Sequence, residues 1–155
     1  MIKITSSLLE NLSEQASLLN RKRKNYNFHK KDSDLLQRML NALESTTYVR
    51  PHKHINPDKC EIFIVLKGKI VVIEFDDSGN IIDKIILCNA LGNYCAEIVP
   101  ASWHTAVSLE DGSVYYEIKD GPYNLYDDKV FAEWSPEEGS NDAPEYLADL
   151  KRKLL

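Results

Sequence analysis

The sequence predicts a mainly β domain, an antiparallel barrel or sandwich, with helices added at its two ends. Short segments rich in Val, Ile and Tyr follow one another between residues 61 and 119, and turn residues separate them. No helical pattern lies between these segments, which argues against the alternation of strands and helices that builds a parallel sheet. With 155 residues, of which 43% are hydrophobic, the chain is long enough for one domain with a packed core.

The N-terminal part of the chain is expected to be helical. Residues 7–19 carry apolar side chains at helical spacing, and Ser7 with Glu10 has the pattern of a capping box. A second helix is predicted after Asp32, because apolar residues recur there on one helical stripe. These residues are Leu35, Leu36, Met39, Leu40 and Leu43. A basic arm over residues 21–31 connects the two predicted helices.

The strands and the last helix follow from the pattern downstream. Tight connections are predicted at residues 67–69 and 76–80, where Gly, Asp, Ser and Asn gather. A final helix is expected from Pro144, with Glu145 near its start and basic residues near its end, which suits the helix dipole. The predicted strands are 61–66, 70–75, 81–87, 94–99, 104–109 and 113–119. We expect one structural domain made of an N-terminal helical extension with the basic arm (1–45), a β-barrel (46–125) and a C-terminal extension with a helix (126–155).

Composition restricts the classes of function. The formal net charge of −5 argues against nucleic acid as a partner, because phosphate backbones need a dominant basic surface. No run near 18 apolar residues and no apolar signal core occur, so neither a membrane span nor secretion is expected. Three cysteines, an odd number without a Cys-x-x-Cys pair, suit a reducing compartment. A cytoplasmic location is therefore expected.

Three of the four histidines, together with one glutamate, form the pattern of a metal site. Alternate side chains of a strand share a face, so His52 and His54 project together, about 6.6 Å apart along the strand. Glu61 follows on the next predicted strand, and His104 enters a later one. Nitrogen and carboxylate ligands suit Fe, Zn, Ni or Mn rather than calcium. We predict one divalent transition metal, either in an open site that admits a substrate or in a closed structural site.

Residues that share strand parity with these ligands are candidates for a binding pocket. On an uninterrupted strand, Tyr48 and Arg50 turn into the same cavity as His52. Arg50 could then hold a carboxylate or phosphate by its guanidinium fork, and the alternative is a surface ion pair. Glu117 and Lys119 share one face of the last predicted strand, which faces either solvent or a polar pocket.

The four predicted ligands lie in segments that resemble the two motifs of the cupin superfamily. The first motif is resembled by His52-x-His54, Glu61 and Gly68, and the second by Gly92, Pro100 and His104. The loop before Glu61 is longer than the commonest cupin spacing, and Ser102 stands where cupins usually carry glycine. The resemblance implies a single jelly-roll barrel (a double-stranded β-helix) that binds one metal. Since cupins commonly pair, it also implies a homodimer.

Longer segments resemble the WbuC-type cupin fold metalloproteins in particular. The likeness extends over about residues 21–150, and its specific segments are 48–54, 103–105, 117–123 and 128–139, with Arg23, Asn25, Asn27 and His29 upstream. That family is associated with clusters for O-antigen and other surface polysaccharides, which implies an anionic or sugar-like ligand such as a sugar nucleotide. We assign catalytic roles to Glu117 and Tyr48, and substrate-binding roles to Arg50, Lys119, Tyr123, Arg23, Asn25 and His29.

Two classes of function remain open at this point. The first is a metal-dependent isomerase, epimerase or oxygenase that acts on a small polar metabolite. The second is a binding module that holds a sugar-like ligand without turning it over. A third possibility, a storage-type structural protein, has less support than either of these, because the set of metal ligands is intact. A metal with exchangeable water favours the enzyme, whereas a saturated ion favours a structural role.

Overall fold

A computed structural model describes residues 1–126 and 128–154 of the chain. Helices and strands account for most of this part, and short turns connect them. In chain order the elements are α1 (Ser6–Leu18), β1 (Arg23–Asn27), β2 (Leu36–Leu43), β3 (His52–Lys53), β4 (Glu61–Lys67), β5 (Ile70–Phe75), β6 (Ile81–Leu87), a single 3₁₀ turn (Asn89–Leu91), β7 (Cys95–Ile98), β8 (Trp103–Ser108), β9 (Ser113–Asp120), β10 (Val130–Phe131) and α2 (Ala143–Leu154).

The strands form two antiparallel sheets that pack face to face as a jelly-roll barrel. One sheet has the order β1-β2-β9-β4-β7, and the other has the order β10-β3-β8-β5-β6. Side chains from both sheets meet in the core, among them Phe63 and Val65 from β4 and Val72 from β5. Burial alternates along β4, so Glu61 shares the inward face of Phe63 and Val65. The predicted mainly β barrel with a helix at each end is therefore confirmed.

The predicted second helix is wrong, because Leu36–Leu43 is strand β2. It pairs with β9 in an unbroken antiparallel register from Leu36 opposite Asp120 to Leu43 opposite Ser113. Its apolar residues Leu40 and Ala42 pack against α1. The basic arm also contains a strand, because β1 pairs with β2. The predicted helical extension over residues 1–45 thus holds one helix and two strands of the sheet.

The two terminal helices cover opposite parts of the barrel. Helix α1 begins after Thr5, whose side-chain oxygen accepts a hydrogen bond from the Leu8 amide, and its buried Leu12 and Ala16 face β2 and β9. Helix α2 packs its apolar face on β5, where Val71 and Ile73 are fully buried. In the described part of the chain, no helix is long and apolar enough to cross a membrane.

Replacing Gly68 by alanine is expected to lower the free energy of unfolding by about 2–4 kcal/mol. Gly68 has φ +76°, and a Cβ there would lie 2.9 Å from Ser113 Cα and also against Ser113 Oγ. The alanine variant is therefore destabilised by two effects, backbone strain at a positive φ and overpacking against β9. Gly92 is the matched control, because its φ is +74° and nothing among the described residues lies within 4 Å of a Cβ there. Urea unfolding of both variants separates the two terms, and equal losses would contradict the close-packing account.

Candidate metal centre

The four predicted ligands converge on one buried point between the two sheets. Their ligand atoms all lie within 4.8 Å of one another. His52 on β3 is the direct strand partner of His104 on β8. His54 follows β3, and Glu61 projects from the first position of β4 in the opposite sheet. Each of the four side chains is at most 4% exposed. An ion held here would link the two sheets of the barrel.

Backbone carbonyls fix the orientation of all three imidazoles. Each ring places its Nδ1 against a carbonyl oxygen, which can only accept a hydrogen bond, so Nδ1 carries the proton. The unprotonated Nε2 is left facing the centre, as in metal sites whose histidines donate their other N–H to a carbonyl. The acceptors are the carbonyls of Arg50 for His52 (2.9 Å), of Ser102 for His104 (2.9 Å) and of Asp128 for His54.

These residues fit a divalent cation. The Nε2 atom of His52 is buried and has no hydrogen-bond partner, which is unfavourable unless an ion satisfies its lone pair. The Nε2 atoms of His54 and His104 lie 2.9 and 3.0 Å from the two oxygens of Glu61. If both rings are neutral and protonated at Nδ1, their Nε2 lone pairs face the lone pairs of the ionised Glu61 carboxylate, which is unfavourable. With a cation at this point, the ring nitrogens and the carboxylate would bind the ion instead of facing one another without a proton between them.

The protonation states are also those that a metal requires. Burial holds the pKa of His52 well below its usual range, so this ring is neutral. Burial alone would raise the pKa of Glu61, but the neighbouring His104 and His54 rings and the positive charge of Lys119 act in the opposite direction and hold that pKa well below its usual range. The centre therefore presents a neutral imidazole and an ionised carboxylate at neutral pH.

A cavity of about 630 Å³ lies beside the centre. Its wall reaches the ligands through Lys119, whose Nζ is 3.5 Å from Glu61 Oε1, and through Phe131, whose ring centroid is 6.2 Å from that of His52. Its lining includes six cationic side chains and four acidic ones, although the whole chain has a net charge of −5. An anionic ligand therefore suits the cavity better than a cationic one.

All six residues predicted to bind substrate lie in the cavity wall. They are Arg23, Asn25, His29, Arg50, Lys119 and Tyr123, and Glu117 lies there as well. The prediction that Tyr48 faces the cavity is wrong. Its hydroxyl donates to the Pro136 carbonyl at 2.9 Å, and its ring packs 5.8 Å from the ring of Tyr146 on α2. Tyr48 does not share the orientation of His52, because the chain around Tyr48 is not a strand and its side chains need not alternate.

Glu117 is the titratable group of the wall that is suited to moving protons. Asn41 Nδ2 donates to its Oε2 at 2.8 Å and fixes the carboxyl group. Burial raises the pKa of Glu117 to about 7, and the negative charge of Glu61 acts in the same direction. Both protonation states are therefore accessible near neutral pH, which a general acid or base requires.

A buried charge network behind the centre was missed by the sequence reasoning. Asp128 binds Lys119 Nζ through Oδ2 at 2.9 Å, and its Oδ1 binds the ammonium group of Lys59. Lys59 also donates to the carbonyl of Pro122. Asp128 lies in a segment that carries the family resemblance, but a single aspartate gives no signal of its partners. Lys59 lies in a loop, where a lysine is by default exposed.

Solved structures with the same architecture are cupin proteins. KdgF from Halomonas sp. is 17% identical over 66% of this chain and 81% of its own, with a TM-score of 0.51. The capsular polysaccharide assembling protein CapF from Staphylococcus aureus is 20% identical over 75% of this chain, with a TM-score of 0.60, and this chain covers 33% of CapF. A cupin 2 domain-containing protein from Halorhodospira halophila is 14% identical over 82% of this chain and 77% of its own, with a TM-score of 0.50. At these identities the likeness establishes the fold.

The sequence itself matches one family. No curated protein matches the chain. The family described as "Domain of unknown function (DUF6016)" matches residues 4–87, which is more than half of the chain. The chain therefore belongs to the DUF6016 family, and its fold is that of the cupins.

Proposed function

We propose that this protein is a metal-dependent enzyme of the isomerase, epimerase or oxygenase type that acts on a small anionic, sugar-like metabolite. The observation that carries the proposal is a buried centre of three histidines and one glutamate at a cavity of about 630 Å³ whose wall contains Glu117. Four protein ligands leave positions open when an ion takes five or six, which gives a substrate access. The barrel has its own packed core, so a purely structural ion is not required.

Each wall residue has a role that follows from its contacts. A divalent ion at the centre would supply Lewis-acid polarisation of a substrate oxygen. Arg50 donates from Nη2 to the Ala132 carbonyl at 3.0 Å, and its guanidinium lies 5.4 Å from the centroid of the Phe131 ring. It is thus held at the wall, where it can bind a carboxylate or phosphate. Glu117 takes a proton from the bound substrate at Oε1 or Oε2 and returns it to the product.

The substrate and the biosynthetic context follow from the charge of the cavity and from the family resemblance. The cationic excess of the cavity and the resemblance to WbuC-type cupins support a sugar nucleotide or related metabolite of surface polysaccharide synthesis. CapF, with a similar fold, is a capsular polysaccharide assembling protein, which is compatible with this setting. Three free cysteines support a cytoplasmic location. Because cupins commonly form pairs, the resemblance supports a homodimer.

The reaction class can be tested without knowing the product. Metal-loaded protein is incubated in D₂O with a panel of sugar phosphates and nucleotide sugars, and proton NMR follows exchange at carbon while an electrode follows oxygen. Deuterium incorporation supports the isomerase or epimerase, and oxygen consumption supports the oxygenase. Saturable binding with neither signal would overturn the enzyme proposal in favour of the binding module.

Replacing Glu117 by glutamine is expected to lower the exchange rate by about 100-fold, the low end of what a positioned acid–base group contributes. Glutamine still accepts the hydrogen bond from Asn41 but cannot take a proton. As a base, Glu117 must be ionised, so the wild-type rate should rise with pH through about 7, and the variant should lose this rise. Glu110→Gln, on the exposed surface, is the matched control. A variant with the wild-type pH profile would remove Glu117 from the mechanism.

A further inference from the structure

Two arginines and one glutamate form an ion-pair cluster in the wall of the cavity. Glu138, in the segment between β10 and α2, accepts from Arg21 Nε at 2.6 Å through Oε1 and from Arg21 Nη2 at 3.0 Å through Oε2. Its Oε2 also accepts from Arg23 Nη2 at 2.8 Å. All three residues line the cavity beside the metal centre.

The two guanidinium groups direct their N–H groups at one carboxylate, which is the arrangement of an arginine site that binds an oxyanion. Arg21 offers two parallel N–H groups to one carboxylate, and Arg23 adds a third donor to the same group. Arg23 lies at the start of β1, its side chain is 21% exposed, and its Nη1 donates to the Tyr48 carbonyl at 3.1 Å. Arg23 is therefore held in place by the barrel. The Glu138 carboxylate takes the position that an external anion would occupy.

The acidic groups of the wall differ in how firmly they are held. Asp128 is 3% exposed and binds two buried lysines, so its charge belongs to the fold. Glu138 is 31% exposed and pairs with Arg21, which is 63% exposed. Partly exposed ion pairs contribute little to stability, so an incoming anion can displace Glu138 at small loss. Its departure would leave both arginines facing the cavity without their counter-ion.

We propose that Arg21 and Arg23 form a phosphate subsite that Glu138 occupies until a phosphorylated ligand displaces it. A phosphate dianion brings more charge and more acceptor oxygens than the single carboxylate, so it competes effectively for the three donors. The ligand class is a small metabolite with a phosphate or diphosphate group at the arginines and its reacting part toward the metal centre. The second half of this assignment rests on the proposed function, but the exchange of Glu138 for phosphate does not require the metal.

The test measures the affinity for inorganic phosphate by NMR titration of purified protein whose metal content is known. Glu138→Gln is expected to lower the Kd for phosphate by about threefold to tenfold, because it removes the internal competitor. Glu137→Gln removes the same charge one residue away and should change the Kd by less than about twofold. Arg23→Lys keeps the charge but loses the fork, so it should weaken binding and diminish the gain from Glu138→Gln in the double variant.

Two results would overturn the subsite. The first is phosphate affinity that falls or stays the same in Glu138→Gln, which would make Glu138 a clamp for the C-terminal segment only. The second is the absence of any phosphate-induced shift of the Arg21 and Arg23 Nε–H signals in the wild type, a readout that does not depend on how a variant folds. Metal content is measured in every sample. A protein that binds phosphate as expected but takes up no metal would contradict the proposed enzyme and leave the subsite intact.

Discussion

Replacing His52 or His104 by alanine is expected to lower the affinity for a divalent transition metal by more than about 100-fold. Loss of an outer-shell partner alone costs roughly 10–100-fold, and each of these variants removes a ligand atom itself. In the wild type, a metal present at 100 times its Kd should stabilise the fold by about 2.7 kcal/mol. Elemental analysis of untagged protein and the metal-dependent shift in Tm measure the two effects. Both variants should lose the bound metal and the shift.

His29→Ala is the matched control for these variants. It removes the remaining one of the four histidines, which lies in the cavity wall and accepts from the Arg38 amide at 3.1 Å. Since His29 is outside the ligand cluster, its loss should leave metal content and the Tm shift unchanged. Equal loss in all three variants, or a wild type that takes up no metal, would contradict the metal centre. The histidines would then have to be treated as buried proton carriers.

The centre could be predicted from the sequence because its geometry is local and periodic. His52 and His54 need only the two-residue period of a strand, and Glu61 needs only the inward face of the next strand. Both conditions concern residues 52–61, which are close in sequence, although β3 and β4 lie in opposite sheets. The position of His104 depends on pairing between β3 and β8, which residue spacing alone does not determine; there the resemblance to the second cupin motif supplied the missing information.

Strand β2 was misread because its two faces have unusual surroundings. Gln37, Met39, Asn41 and Leu43 line the cavity, while Leu40 and Ala42 pack under α1. Two polar residues on the inward face, Gln37 and Asn41, break the usual rule of apolar residues inside and polar residues outside. The apolar residues of both faces together fit a helical stripe equally well. The misreading and the cavity thus have one cause. The same polar face carries Asn41, the partner of Glu117.

Contacts distant in sequence could not be predicted. Asp128 meets Lys59 across 69 positions, and Glu138 meets Arg21 across 117. No periodicity relates such residues, so only the folded barrel reveals them. Tyr48 shows the complementary failure, because a parity argument holds only while the strand continues. The four ligands were therefore predicted correctly, but the buried charge network of Asp128, Lys59 and Lys119 was not.

Replacing Asp128 by asparagine is expected to lower the free energy of unfolding by about 3–5 kcal/mol, the usual loss when one partner of a buried ion pair is removed. The side chains of Lys59 and Lys119 are only 2% and 5% exposed. Lys119 keeps Glu61 at 3.5 Å, whereas the partner that remains for Lys59 among the described residues is the neutral Pro122 carbonyl. Asparagine has nearly the same shape as aspartate, and the backbone carbonyl of residue 128 still accepts from His54. The loss of unfolding free energy therefore measures the contribution of the carboxylate charge. Urea unfolding measures it.

A double-mutant cycle determines whether the loss comes from the ion pair itself. Asp83→Asn, on exposed strand β6, should change stability by less than about 0.5 kcal/mol. Lys59→Met should destabilise by itself, but combining it with Asp128→Asn should recover part of the sum, because a buried pair replaced on both sides leaves no uncompensated charge between its members. Strictly additive losses would mean that Asp128 and Lys59 do not interact energetically. The support of His54 would then rest on the backbone carbonyl of residue 128 and not on the ion pair of its side chain with Lys59.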